Sequence, residues 1–339
     1  MWQMNSILSK LKLRNAAIIR KVKANRGIKK KERTKIMKNT EIIGIDHGWS
    51  HIKTRNTVFT SGIEENVSPT FYDNILEYNG RYFNVGGKRI EVKNTKVENE
   101  DFYLLTLAAL AKEFNNRRIT ESDVYISAGL PLTRFGEEKQ TFIEYLQKNR
   151  DISFKYNQKE YKAHIERVSV FPQCYSAVAD MIPTFPRKVV VIDVGSWTVD
   201  IMPVINKRPD DQRCESLPHG IITCMKDINR ACIKKFNYEL DENDMEHYIR
   251  HQQLNEVPKE VVKLMDKFFR EYTEAIIRSL KEHDINIQTT PIVFVGGGAT
   301  VIKNHMPVEL PNIKFKTDIK ANAKGYETLA KMAAKERCK

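Results

Sequence analysis

Short apolar stretches of the chain alternate with longer amphipathic ones, which predicts alternating strands and helices. Two hairpins are indicated by turn residues between apolar flanks, Asn79-Gly80 within residues 75–85 and Asn157-Gln158 within residues 154–161. The other predicted strands are runs of apolar and β-branched residues, at positions 42–46, 58–63, 124–130, 168–171, 189–193 and 291–295.

Apolar residues at helical spacing mark the remaining segments. Residues 101–114 are apolar on most faces, which predicts a helix buried between other elements. The longest amphipathic stretch, residues 256–283, presents one apolar face of Val261, Leu264, Phe268, Tyr272, Ile276 and Leu280. Further helices are predicted at 137–147, 174–181, 220–236, from about Ala299, and at 321–337. Strands and helices mixed in this order predict an α/β fold.

Both halves of the chain open with the same pattern. The strand at 42–46 ends on Asp46, the strand at 189–193 ends on Asp193, and a glycine follows each acid after one residue. This repetition predicts two related domains, over residues 40–187 and 188–320, followed by a last helix within residues 321–339.

The positive charge of the chain is concentrated at its start. Of the 56 lysines and arginines, 13 lie in residues 1–39 beside one acidic residue, so nearly all of the net charge of +13 belongs to this leader. The leader is expected to be disordered or not part of the fold, and Met37 is an alternative start. The near-neutral remainder is not expected to bind nucleic acid directly.

Composition also narrows the environment of the protein. No apolar run approaches the roughly 18 residues that span a bilayer, which disfavours a membrane protein. Five cysteines without a CxxC pair disfavour a disulfide framework and a zinc ribbon. A reducing, cytoplasmic location is therefore expected.

Two loops carry the chemistry that the sequence suggests, one from Asp46 to Lys53 and one from Asp193 to Asp200. Their glycines allow tight turns that expose backbone amides to phosphate oxygens, and Lys53 adds a positive charge. If the loops face each other, they grip one polyphosphate from two sides while Asp46 and Asp193 hold a hydrated Mg²⁺.

Other candidate sites are weaker. The run of Gly296, Gly297 and Gly298 permits close backbone approach to a flat ligand, but the chain lacks the glycine order of a dinucleotide fold or a P-loop. His247 and His251 share a helix face without the glutamate of a zinc protease motif. No Gly-x-Ser-x-Gly elbow supports a serine hydrolase.

In their order, these motifs resemble those of the actin, Hsp70 and sugar-kinase ATPase superfamily. The resemblance covers residues 41–335: a phosphate loop (46–53), a connecting segment (171–173), a second phosphate loop (193–200), an adenosine loop (292–300) and a connecting helix (321–330). Within the superfamily, residues 127–132, 135–139 and 218–223 look most like the bacterial actin-like proteins of the ParM type.

This resemblance implies a fold and a function. The fold would be actin-like, with two ribonuclease-H-like α/β domains around a nucleotide cleft and the last helix returning to the first domain. The function would be that of an ATPase that binds ATP, or GTP, with Mg²⁺ and polymerises into filaments. Such filaments segregate plasmid DNA through a DNA-bound adaptor protein of the ParR type.

The resemblance also implies roles for single residues. Gln173, Asp193 and Asp46 are the expected catalytic residues, Gln173 orienting the attacking water and the two aspartates organising Mg²⁺ through water. The residues expected to bind nucleotide are Gly48, Trp49, Ser50, Lys53, Gly195, Ser196, Trp197, Thr198, Gly220, Thr223, Gly296, Gly297, Gly298 and Ala299.

Three residues depart from the pattern of the ParM type. Trp49 and Trp197 place bulky rings where small residues are common, and Gln173 stands where many ParM relatives carry glutamate and actins carry glutamine. A non-polymerising relative, such as a small-molecule kinase, is the alternative function. It would need an acid beside an acceptor hydroxyl and elements to enclose the acceptor, and the sequence shows no separate region for them.

Overall fold

The protein is described here by a computed structural model over residues 40–68 and 73–338. The basic leader, residues 1–39, and the alternative start at Met37 lie outside the described residues. Within these ranges two sheets and a set of helices follow one another in mixed order, which confirms the predicted α/β fold.

The first sheet has nine strands. They are β1 (Glu41–His47), β2 (His51–Lys53), β3 (Val58–Thr60), β4 (Gly62–Asn66), β5 (Ile75–Tyr78), β6 (Arg81–Arg89), β7 (Glu121–Leu130), β8 (Asp151–Tyr156) and β9 (Lys159–Pro172). Their order in space is β3-β2-β1-β7-β9-β8-β5-β6-β4. Strand β7 runs parallel to both β1 and β9, so their carboxyl ends meet at one edge of the sheet.

The second sheet follows in the chain. Its strands are β10 (Lys188–Val194), β11 (Val199–Ile205), β12 (Arg208–Pro209), β13 (Glu215–Leu217), β14 (Ile292–Val295) and β15 (Ile313–Lys316). The order is β12-β11-β10-β14-β15, with β13 paired to β11. The sheets divide between residues 172 and 188, whereas the domain bounds themselves stay a prediction.

Helices cover the sheets and form one cluster of their own. They are α1 (Asp101–Arg117), α2 (Leu132–Leu146), α3 (Ile221–Phe236), α4 (Glu242–His251), α5 (Lys259–Glu282), α6 (Ala299–His305) and α7 (Ala321–Cys338). Helix α1 is buried in the core of the first sheet, and α3, α4 and α5 pack together around Ile228, Met265 and Phe269. No helix in the described ranges is long and apolar enough to cross a membrane.

The strand predicted at 58–63 is interrupted, and the interruption serves the first loop. The backbone N–H of Ser61 donates to the carbonyl of Ser50 at 2.9 Å, and its hydroxyl donates to the carbonyl of Gly48 at 2.6 Å. Ser61 therefore ties β3 and β4 to the Asp46–Lys53 loop instead of continuing one strand.

Two other predictions are corrected. The second arm of the hairpin at 154–161 and the strand at 168–171 are a single strand, β9. Residues 174–181 do not form an α-helix, because Cys174 has a φ of 67° and only a short 3-10 turn, Ser176–Val178, follows.

The apolar face of α5 is also shifted from the prediction. Its most buried positions are Val261, Met265, Phe269, Thr273, Ile276 and Leu280. Leu264, Phe268 and Tyr272 are only partly buried, at the edge of the stripe. Within each set, successive residues are three or four positions apart, so spacing alone did not identify the centre of the face.

The last helix, α7, packs on the first sheet so closely that glycine is required at the contact. A Cβ added to Gly325 would lie 1.7 Å from the carbonyl oxygen of Ser176, and one added to Gly44 would lie 2.0 Å from that of Ala323. These contacts return the end of the chain to the first sheet.

We therefore expect Gly325→Ala to lower the free energy of unfolding by about 1–3 kcal/mol or more, the usual cost of forcing atoms into a packed contact. Gly136→Ala is the matched control: its added Cβ meets nothing within 4 Å, on an exposed position of α2. That change should stabilise the protein by about 0.5–1 kcal/mol. Urea unfolding measures both, and a neutral Gly325→Ala would refute the close packing.

Candidate functional site

A single large cleft of about 760 Å³ collects most of the residues singled out by the sequence. It opens where the carboxyl end of β1 in the first sheet meets that of β10 in the second. Both acid–glycine loops border it. The predicted site residues that line it are Asp46, Gly48, Trp49, Ser50, Lys53, Gln173, Asp193, Gly195, Ser196, Trp197, Thr198, Gly296, Gly297 and Gly298.

The first loop is the turn of an antiparallel hairpin, whose register explains the spacing of its charges. Strands β1 and β2 pair Asp46 with Lys53. The Lys53 Nζ donates to Asp46 Oδ2 at 3.2 Å, and the Gln173 Nε2 donates to Asp46 Oδ1 at 3.2 Å. Asp46 is only 4% exposed, so its carboxylate is held in a fixed position by two donors.

The second loop repeats this hairpin with one change of charge. Strands β10 and β11 pair Asp193 with Asp200, so a second acid stands at the position that corresponds to Lys53. Asp193 is buried and accepts a hydrogen bond from Asn322 Nδ2 at 2.8 Å. Burial, then the nearby charge of Asp200 and that of Asp46, raise the pKa of Asp193 to about 7, against the Asn322 hydrogen bond and the Lys53 charge.

The triple glycine is pressed directly against the second loop. Gly296 has a φ of 88°, and a Cβ there would lie 2.2 Å from Asp193 Oδ1. Gly298 donates from its backbone N–H to the carbonyl of Val194 at 2.9 Å. A side chain at either position would push the glycine run away from the second loop, which accounts for glycine here.

Part of the cleft lining is apolar. Ile222 and Met225 of α3, Ile249 of α4 and Ile319 contribute to it, and Ile319 lies beside Gly297 of the glycine run. A slot with apolar walls suits a flat aromatic base, whereas the acid–glycine loops suit phosphates.

Polar groups without partners point to what the cleft could hold. The Ser50 hydroxyl is buried and has no hydrogen-bond partner among the described residues, and the same holds for the Trp197 Nε1–H and Asp200 Oδ1. Ser50 and Trp197 belong to the two loops, so a ligand with several acceptor atoms would satisfy both donors.

Three predicted nucleotide contacts are not at the cleft. Gly220 packs behind the second loop, where a Cβ would lie 2.4 Å from Ser196. Thr223 is exposed on α3, and Ala299 is completely buried in the core of the second sheet. The helix α3 begins one residue after Gly220, which turns the Thr223 side chain to solvent.

The bulky rings of the two loops each contact a neighbouring side chain. Trp49 packs edge-on against Phe102, with ring centroids 5.0 Å apart, and Lys226 lies 4.8 Å from the centre of the Trp197 ring.

Cys224 and Cys232 are buried in the helical cluster.

Several residues that the sequence analysis missed also line the cleft. They are Asn322, which holds Asp193, Lys96 from the segment between β6 and α1, and Asp200. A single asparagine or lysine in a polar segment carries no recognisable pattern. Asp200 lies inside the second loop, and its register opposite Asp193 was the signal available.

The mouth of the cleft is bridged by contacts between the first sheet and α4. The Arg89 guanidinium is paired with both carboxylate oxygens of Glu242. The His51 Nε2 lies 3.9 Å from Glu246, but burial and neighbouring cations lower the pKa of His51 to about 4, so the ring is neutral at pH 7. Arg89–Glu242 is therefore the charged bridge between the two sides.

Across residues 40–68 and 73–338, no group of three or more histidines, cysteines or acids is arranged to hold a metal ion. His247 and His251 stack with ring centroids 4.5 Å apart and have no third ligand in this part of the chain. Two buried carboxylates, Asp46 and Asp193, do suit Mg²⁺, which keeps most of its waters and binds phosphates.

Comparisons with known proteins agree with this geometry. The family model described as the N-terminal domain of actin-like proteins matches residues 32–175. The model described as the C-terminal domain of archaeal MreB-like actin homologues matches residues 191–307. No significant match is found among curated protein sequences.

Solved structures show the same fold at low identity. Ta0583, an archaeal actin homolog in complex with ADP, is 19% identical with a TM-score of 0.68, over 86% of this chain and 99% of that chain. Bacillus thuringiensis ParM with ATP is 15% identical with a TM-score of 0.66, over 87% and 99%. The Alp12 filament structure is 16% identical with a TM-score of 0.64, over 87% and 99%.

These likenesses confirm the actin-like fold that the order of the motifs implied, and the resemblance to actin-like proteins such as ParM. One family model covers the first sheet and the other covers most of the second. With both halves of the cleft matched in this way, the chain has the actin-like fold and is similar to actin-like proteins over both of its halves.

Proposed function

We propose that the protein binds ATP in the cleft, hydrolyses it and assembles into filaments. The observation that carries the proposal is the meeting of two acid–glycine hairpins at one cleft, each with a buried, unpartnered donor. Amides and hydroxyls approaching from two sides suit a chain of phosphates, and the apolar slot beside the glycine run suits the base.

The charges of the cleft support a nucleotide bound with Mg²⁺. Asp46 and Asp193 would hold the hydrated ion, which would supply neutralisation of the phosphate charge. Lys53 is bound to Asp46 and lines the cleft, where it would also meet a phosphate. The choice of adenine over guanine rests on similar proteins whose structures were solved with ADP and ATP.

Gln173 would orient the attacking water for hydrolysis. Its Nε2 donates to Asp46 Oδ1 at 3.2 Å, and the carbonyl oxygen of an amide can accept a hydrogen bond from water. Gln173 itself follows β9 directly, and its backbone N–H donates to the carbonyl of Leu130 at 2.9 Å. Both anchors fix the amide, as required for aligning a nucleophile.

Assembly would be coupled to nucleotide through the two sides of the cleft. Head-to-tail contacts repeat only if every subunit has the same relative orientation of its halves. A nucleotide that touches both hairpins favours one orientation, as the Arg89–Glu242 bridge does. By analogy with ParM, the filaments would move plasmid DNA in the cytoplasm through a DNA-bound adaptor of the ParR type.

Sedimentation of the full chain tests assembly. We expect the protein to pellet with ATP and Mg²⁺ and to stay in the supernatant without nucleotide, because closure fixes the repeating geometry. Phosphate release without any added acceptor should accompany pelleting. A protein that remains monomeric with ATP well above micromolar concentration, and releases phosphate only when an acceptor alcohol is added, would instead be a kinase.

A further inference from the structure

One lysine at the cleft forms no direct ion pair with any of the described residues. Lys96 lies on the segment between β6 and α1, lines the cleft and is only 7% exposed. Its Nζ makes no hydrogen bond or ion pair with any residue that the structure describes, and it lies 5.8 Å from the centroid of the Phe102 ring.

The charges around Lys96 come from both halves of the cleft. Asp46 at the end of β1, Asp200 on β11 and Glu138 on α2 attract it, and Lys53 on β2 repels it. Desolvation outweighs these attractions and lowers the pKa of Lys96 to about 8, so the ammonium is still mostly charged at pH 7. A buried ammonium without a bound partner destabilises the folded protein.

The backbone that carries Lys96 is fixed over the cleft. The Arg134 guanidinium donates to the carbonyl of Asn94, and the Tyr145 hydroxyl donates to the carbonyl of Asn99 at 2.8 Å. Both donors belong to α2, which packs against the first sheet. The backbone on both sides of Lys96 is therefore anchored, and its side chain, which is largely buried, lines the cleft.

We propose that Lys96 binds the terminal phosphate of a nucleoside triphosphate, as a third phosphate-binding element outside the two acid–glycine loops. The inference rests on the proposed function. A terminal phosphate supplies the directly bound anion that Lys96 lacks, in the cleft that Asp46 and Asp200 also line. Because ADP has no γ-phosphate, Lys96 makes the cleft prefer ATP over ADP.

Two opposite effects distinguish this role from a structural one. Lys96→Met keeps most of the length of the side chain and removes its charge. We expect it to weaken ATP binding on the order of 10- to 100-fold, as for loss of a hydrogen bond to a charged group. ADP binding should change little. The melting temperature of the nucleotide-free protein should rise, because a buried, unpaired charge is gone.

The experiment titrates fluorescent ATP and ADP analogues into the unmutated full chain, Lys96→Met and Lys96→Arg, and measures melting without nucleotide. Lys96→Arg retains the charge and should retain preference for ATP, which keeps the test informative if the methionine variant fails to fold. Lys88→Met, on an exposed position of β6 outside the cleft, controls for loss of a lysine.

The failures can be told apart. If the unmutated chain binds neither nucleotide, the proposed function falls and the inference falls with it. If the unmutated chain binds ATP, but Lys96→Met binds ATP equally well or loses ATP and ADP to the same extent, only the role of Lys96 is overturned.

Discussion

Asp193→Asn should slow ATP hydrolysis on the order of 10²–10³-fold, the usual effect of removing one preorganised electrostatic contact. The same change should make the nucleotide-free protein more stable at pH 8. The asparagine keeps the shape of the side chain and an oxygen that can accept from Asn322. It lacks the negative charge that would face Mg²⁺ and its waters, so Mg²⁺-dependent binding of ATP should weaken too.

The gain in stability follows from the environment of the carboxylate. With its pKa raised from 3.8 to about 7 by burial and by Asp200, folded Asp193 holds a proton that the unfolded chain releases above pH 4. The folded state therefore loses stability as the pH rises from about 4 to about 7, and the full penalty applies above that window. Asparagine has no such penalty, so the variant should also lose this part of the pH dependence.

Thermal unfolding of the nucleotide-free proteins between pH 5 and pH 8 measures the change in stability. Phosphate release at saturating ATP measures the change in hydrolysis. Asp211→Asn, at an exposed position outside the cleft, should change neither. A variant less stable than the unmutated protein at pH 8 would contradict the burial of an uncompensated charge at position 193.

The hairpin loops could be predicted because their chemistry is local. A buried strand, an acid, a glycine and a returning strand are adjacent in the sequence, and the hairpin register then places residues seven apart opposite each other, as Asp46 and Lys53 are. The same rule explains why Asp200 stands opposite Asp193. Gln173 was singled out only through the resemblance, since nothing in the neighbouring sequence indicates that it would orient a water.

Contacts between distant segments could not be predicted in this way. Asn322 reaches Asp193 from 129 positions away, and Arg89 meets Glu242 across 153. Lys96 is one of many lysines, and only the packing of its segment under α2 buries it. Thr223, named through the resemblance, is exposed on α3, which begins at Ile221, and its contact with a nucleotide stays a prediction.

Gln173→Ala should have an effect opposite in kind to that of Asp193→Asn, because it leaves every charge of the cleft in place. Alanine cannot orient a water, so we expect hydrolysis to slow on the order of 10²-fold, or ~2.7 kcal/mol of barrier, by analogy with the water-positioning glutamine of GTPases. The affinity for ATP should change little, and filaments should persist longer if disassembly follows hydrolysis.

Phosphate release at saturating ATP, measured beside an equilibrium titration of nucleotide, separates alignment from binding. Gln288→Ala, at an exposed position, controls for loss of a glutamine. In the structure the Gln173 amide donates to Asp46 Oδ1, so alanine also removes one of the two donors that hold this carboxylate. A large loss of ATP affinity would therefore mean that Gln173 acts through Asp46 and the bound metal. Release at the unmutated rate would mean that another group orients the water.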